Sequence, residues 1–149
     1  MIATNHALTG AVIGLAVGNP LVAVPAALLS HYVCDALPHF GLGPDFIKTK
    51  AFRNYLIVDA VVCVLLVLAL FATQPTHWLL ASVCAFVAAM PDFAMVNRYY
   101  HVVTNKPYVS GLYNRFAGGI QWFERPIGGF VELAWAFAAT YTIFVLTRA

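Results

Sequence analysis

Five apolar stretches, at residues 3–18, 21–37, 55–72, 77–95 and 126–146, occupy most of this 149-residue chain, and none of them contains a lysine or an arginine. They run from sixteen to twenty-one residues, close to the roughly 20 that a helix needs to cross the hydrocarbon of a bilayer. With no water in that hydrocarbon, a segment has to satisfy its own backbone, which selects helix. Charged residues make up only 9% of the chain and apolar ones 62%, where a soluble domain carries about 25% charged. That balance excludes an ordinary water-soluble domain, a disordered chain and a nucleic-acid binder with a dense basic patch. The expected fold is all-α: one integral membrane domain, a bundle of about five transmembrane helices.

Turn chemistry separates the runs. Asn19-Pro20 divides the first from the second, Pro38 closes the second by disfavouring helix at the residue before it, and Gln74-Pro75 lies between the third and fourth. Residues 7–17 resemble the apolar core of a signal peptide and Val24-Pro25-Ala26 a cleavage site, but the basic start of such a peptide is missing, so the first run is expected to be a span. Cys34, Cys63 and Cys84 sit inside apolar runs without CxxC spacing and read as small apolar residues rather than a disulfide or thiolate framework.

Orientation follows from the cations. If the spans alternate, the N-terminus, the 38–54 connection and the 96–125 connection share one side, and that side holds Lys48, Lys50, Arg53, Arg98, Lys106, Arg115 and Arg125, against Arg148 alone opposite. The positive-inside rule then puts the N-terminus in the cytoplasm, in a bacterial inner membrane. The 96–125 connection interleaves Tyr99, Tyr100, Tyr108, Tyr113, Phe116, Trp122 and Phe123 with basic residues, and reads as an interfacial loop at headgroup level.

Ionisable residues inside spans are costly and mark sites. His6 opens the first run, His31 and Asp35 lie in the last two turns of the second, and His39 follows Pro38. Asp59 lies a turn or so into the third, Asp92 ends the fourth, and Glu132 lies about two turns into the fifth. In an up-and-down bundle all seven fall at the cytoplasmic end. Imidazole and carboxylate together suit a divalent metal, zinc first and manganese or iron otherwise, as one ion or two. His6, His31, Asp35, His39, Asp59 and Asp92 are the candidate ligands. His31 and Asp35, four apart, share a helical face and can reach one ion. Glu132 or Asp59 is the candidate general base. Edge pairs of Asp59 with Arg53, Asp92 with Arg98 and Glu132 with Arg125 are the competing readings, and His77 and His101 lie at other depths.

The segments Thr4-Asn5-His6-Ala7-Leu8-Thr9-Gly10 and Ser30-His31-Tyr32-Val33-Cys34-Asp35-Ala36-Leu37-Pro38-His39-Phe40, with Met90-Pro91-Asp92-Phe93, resemble the motifs of the bacterial membrane-bound metal-dependent hydrolases. The resemblance covers the first forty residues and the Pro-Asp element. It implies a metal-binding membrane hydrolase with His6, His31, Asp35, His39 and Asp92 at the matching positions.

The functional expectation is metal-assisted hydrolysis of a phosphoester or ester at the cytoplasmic leaflet, with membrane lipid as partner, phospholipid as a substrate class and no nucleic acid. Arg98, Lys106, Arg115 and Arg125 are placed to meet a lipid phosphate. A metal or proton transporter is the alternative, although the outer halves of the runs carry no Asp, Glu, Lys or Arg to line a path. A third reading is a non-catalytic protein stapled by a structural metal. The small size leaves room for a homo-oligomer. A serine nucleophile is disfavoured, because Ser30 and His31, adjacent on a helix, point about 100° apart.

Overall fold

The computed structural model describes residues 1–148, which are helical throughout their regular structure. In chain order the helices are α1 (Ala3–Val17), α2 (Pro20–Ala36), the single turn α3 (Pro44–Ile47), α4 (Lys50–Thr73), α5 (Trp78–Ala89), α6 (Val96–Val103), α7 (Leu112–Ile120) and α8 (Gly128–Leu146). A 3₁₀ segment, Met90–Met95, joins α5 to α6 without a break.

Local chemistry explains most of the ends. Gly18, at φ +66°, closes α1 in the left-handed conformation that glycine adopts without steric cost. Asn19 caps α2 by accepting from the Leu21 amide at 3.0 Å, with Pro20 at the first helical position. Leu37, held extended before Pro38, ends it. Thr49 caps α4 by accepting from the Phe52 amide at 3.1 Å.

Three helical stretches are long and apolar enough to cross a membrane: Lys50–Thr73, Trp78–Val103 and Gly128–Leu146. The other two apolar helices, α1 with 15 residues and α2 with 17, are shorter, and at 1.5 Å per residue α1 measures about 22 Å against about 30 Å of hydrocarbon. Length and composition thus mark three of the five expected spans. Helix begins at Lys50 rather than at residue 55, so Lys50 and Arg53 lie on α4 and not in the connection. The fourth helical stretch runs on to Val103, and α7 lies beyond it, so the 96–125 connection is largely helical where a loop was expected. Apolarity stops near Met95, but the backbone keeps its helical bonding past that point because the next residues are amphipathic rather than helix-breaking.

At the centre stands α1, packed against α2, α4, α5 and α8. Its contact with α5 is the closest. A Cβ on Gly10 would stand 2.9 Å from the Cα of Ala85, and one on Gly14 would stand 2.7 Å from the Ala81 nitrogen. The facing positions are small: Ala7 and Ala11 of α1, and Ala81, Cys84, Ala85 and Ala88 of α5, are all buried. Backbones that approach this closely gain dispersion contacts, which is how helices associate where lipid removes the hydrophobic drive. The large side chains point outward instead, with Leu21, Phe130, Leu133 and Phe137 among the most exposed. Cys34 and Cys84 are buried and Cys63 half-buried, all as free thiols.

Candidate metal centre

Polar burial is confined to one end of the bundle. Thr4, Asn5 and His6 at the start of α1, His31 and Asp35 at the end of α2, His39 just after it, Asp59 in α4 and Glu132 in α8 are all buried. The chain reverses between consecutive long helices, so the beginnings of α1, α4 and α8 meet the ends of α2 and α5.

Four of these groups converge. His6, His31, Asp35 and Asp92 each offer one ligand atom, and those atoms lie within 4.8 Å of one another. Nε2 of His6 is 3.1 Å from Asp35 Oδ1 and 4.0 Å from Asp92 Oδ2, while Nε2 of His31 is 3.4 Å from Asp35 Oδ2. The amino nitrogen of Met1 also sits 2.5 Å from Asp35 Oδ1.

Two details suit this group to a cation. The Nδ1 of His31 lies 2.9 Å from the Ala88 carbonyl, which only accepts, so Nδ1 carries the proton and Nε2 turns a lone pair toward the carboxylates. His6 is fully buried, and neither ring nitrogen makes a well-formed hydrogen bond. An ion between Nε2 and the Asp35 and Asp92 carboxylates would give that nitrogen a well-directed partner. Two imidazoles and two carboxylates form a donor set for zinc, manganese or iron.

The remaining expected residues do other things. Asp59 accepts from the Ala3 amide at 2.9 Å, the Thr4 amide at 2.8 Å and the Thr4 hydroxyl at 2.5 Å. Glu132 accepts from the Ile2 amide at 3.2 Å, and its carbonyl accepts from Asn5 Nδ2 at 3.1 Å. Helix α1 has no side-chain cap of its own. Asp59 and Glu132, reaching over from α4 and α8, satisfy its first amides instead. His39 is also outside the group: its Nδ1 lies 2.8 Å from the Leu37 carbonyl, and burial pulls its pKa below the ordinary imidazole value. Among the described residues, none of the edge pairs with Arg53, Arg98 or Arg125 forms. His77 lies against Gly18 at the other end, and Ser30 and Ser82 bond to carbonyls of their own helices.

One side of the group is open. The Asp92 side chain is 31% exposed while those of His6, His31 and Asp35 are at most 3% exposed. Asp92 lines a cavity of about 300 Å³ whose wall combines Asp59, His39 and Arg98 with the apolar Phe52, Leu56 and Met95. Two residues that the sequence did not assign to the site help to hold it. Tyr113 of α7 donates to the Pro91 carbonyl at 3.2 Å, and Gln121 donates to Asp35 Oδ2 at 3.0 Å. The Gly10-x-x-x-Gly14 spacing, readable in the sequence, is what lets α1 approach α5 so closely.

Comparison of the chain with family models, curated proteins and solved structures returns no match.

Proposed function

We propose that this chain is an integral membrane metal-dependent hydrolase acting on a phosphoester or ester, with phospholipid as the substrate class, at the cytoplasmic leaflet of a bacterial inner membrane. The observation that carries the reading is the partly exposed Asp92, shared between the buried His6, His31 and Asp35 and a cavity walled by both charged and apolar groups. A structural ion is usually enclosed on all sides, whereas a catalytic one keeps an accessible position.

In this reading His6, His31, Asp35 and Asp92 hold one divalent ion, zinc first and manganese or iron otherwise. Bound there, such an ion would lower the pKa of a water molecule toward neutrality and so make a nucleophile available near pH 7. Arg98, on the cavity wall and without a carboxylate partner among the described residues, meets the phosphate. Phe52, Leu56 and Met95 take the first methylenes of a chain and keep water from the reacting bond. Asp59 lines the same cavity and is the candidate base, although its oxygens, like that of Glu132, also accept from the first amides of α1.

The proposed topology has five membrane-embedded helices, α1 and α2 being short ones held by the longer three, with the N-terminus and the 96–125 connection cytoplasmic. Seven of the eight cations lie on that side. The motif resemblance to the membrane-bound metal-dependent hydrolases supports the same reading.

The test is elemental analysis of protein purified in detergent without chelators, for the wild type, His31→Ala, Asp35→Ala and His77→Ala, followed by release of phosphate or fatty acid from a panel of lipid and soluble esters. Near-stoichiometric metal in the wild type and His77→Ala, lost in the other two, is expected. Equal metal content in all four proteins would overturn the site.

A further inference from the structure

Asp35 is the hub of the four-residue group, and an aspartate carboxylate rotates easily about its last torsion unless something holds it. Its Oδ1 faces Met1 and His6, its Oδ2 faces His31, and one further donor reaches Oδ2 from outside the long helices: Nε2 of Gln121, at 3.0 Å.

Gln121 is the residue that ends α7, and the segment it begins is strapped to the end of α2. Trp122 Nε1 donates to the Ala36 carbonyl at 3.1 Å, the His39 amide donates to the Phe123 carbonyl at 3.2 Å, and the Arg125 amide donates to the His39 carbonyl at 3.0 Å. A short parallel bridge joins His39 to Glu124. At Gly128 a Cβ would collide with the backbone of His39, so the absence of a side chain lets α8 start directly beneath the strap. Three hydrogen bonds thus hold the segment that begins at Gln121 against the end of α2.

We propose that Gln121 is a positioning residue for the metal centre: its amide fixes the rotation of the Asp35 carboxylate and so sets how tightly the site binds a divalent ion. This inference rests on the metal reading above. Groups that orient a ligand from outside the coordination sphere change affinity by about 10- to 100-fold when removed, without changing the number of ions bound.

Cobalt(II) is the probe, titrated into the full chain in detergent against a chromophoric chelator, with the visible d–d spectrum recorded. Gln121→Leu and Gln121→Met should both bind one equivalent about 10- to 100-fold more weakly and with an altered spectrum, while keeping wild-type helical content. Trp122→Phe, which removes a neighbouring bond of the strap but leaves Gln121, should bind as the wild type does. Wild-type affinity in both Gln121 variants overturns the proposal. So does an equal loss in Trp122→Phe, or failure of both Gln121 variants to fold, either of which makes the strap a structural element. Failure of the wild type itself to bind cobalt overturns the metal reading and the positioning role with it.

Discussion

Asp59 shows how a buried carboxylate is used when it is not part of a charged cluster. A helix starts with unpaired amides, and α1 begins with Ala3 half-buried and Thr4 buried. Asp59 takes both, so Asp59→Ala should lower stability by about 1–3 kcal/mol, read as a lower melting temperature, and Asp59→Asn by less because one acceptor oxygen remains. His39 makes a second prediction at this scale. Burial, with the Met1 amine pushing the same way, lowers its pKa from 6.5 against upward pulls from the Leu37 carbonyl, Asp35 and Glu124. The folded chain therefore refuses a proton that the unfolded chain accepts below about pH 6.5. Stability should fall as pH drops below that value, and His39→Gln should flatten the wild-type dependence; superimposable pH–stability curves for the two proteins would contradict this.

Among the elements, α1 has the tightest requirement. Its registry against α5 depends on two positions without a side chain, and His6 lies one turn from the first of them. Gly10→Leu should force the helices apart at a cost of at least about 1–3 kcal/mol and carry His6 away from Asp92. Metal content and melting temperature should fall together in Gly10→Leu, while Gly118→Ala, where a Cβ meets open space on α7, should change neither. Tyr113→Phe is the milder counterpart on α7. Loss of its bond to the Pro91 carbonyl should cost about 1 kcal/mol, measurable in a detergent unfolding titration.

Across the whole molecule, charge and burial are distributed along one axis. The buried polar residues and seven of the eight cations share one end of the bundle, while the flanks are covered by exposed Leu, Val and Phe. This arrangement makes the topology testable in cells. In a background with Cys34, Cys63 and Cys84 replaced by alanine, Lys48→Cys and Arg115→Cys should react with an impermeant maleimide only after the inner face is opened, and Arg148→Cys from outside intact spheroplasts. The reverse pattern would invert the proposed orientation.

Hydropathy and the cations, read from the sequence, were enough to indicate an all-helical chain with segments long and apolar enough to cross a membrane, and to draw His6, His31, Asp35 and Asp92 toward one end. Burial in hydrocarbon admits few other solutions for runs of that length. Depth along a helix can be read from residue number, but the direction a side chain takes around the axis, and which neighbour it meets, depends on how the helices pack. That packing, set by Gly10 and Gly14 against α5, brought four of the expected ligands within 4.8 Å of one another and turned Asp59 and Glu132 to the first amides of α1. It also delivered Gln121 to Asp35 across 86 residues of chain, a contact that no local pattern encodes.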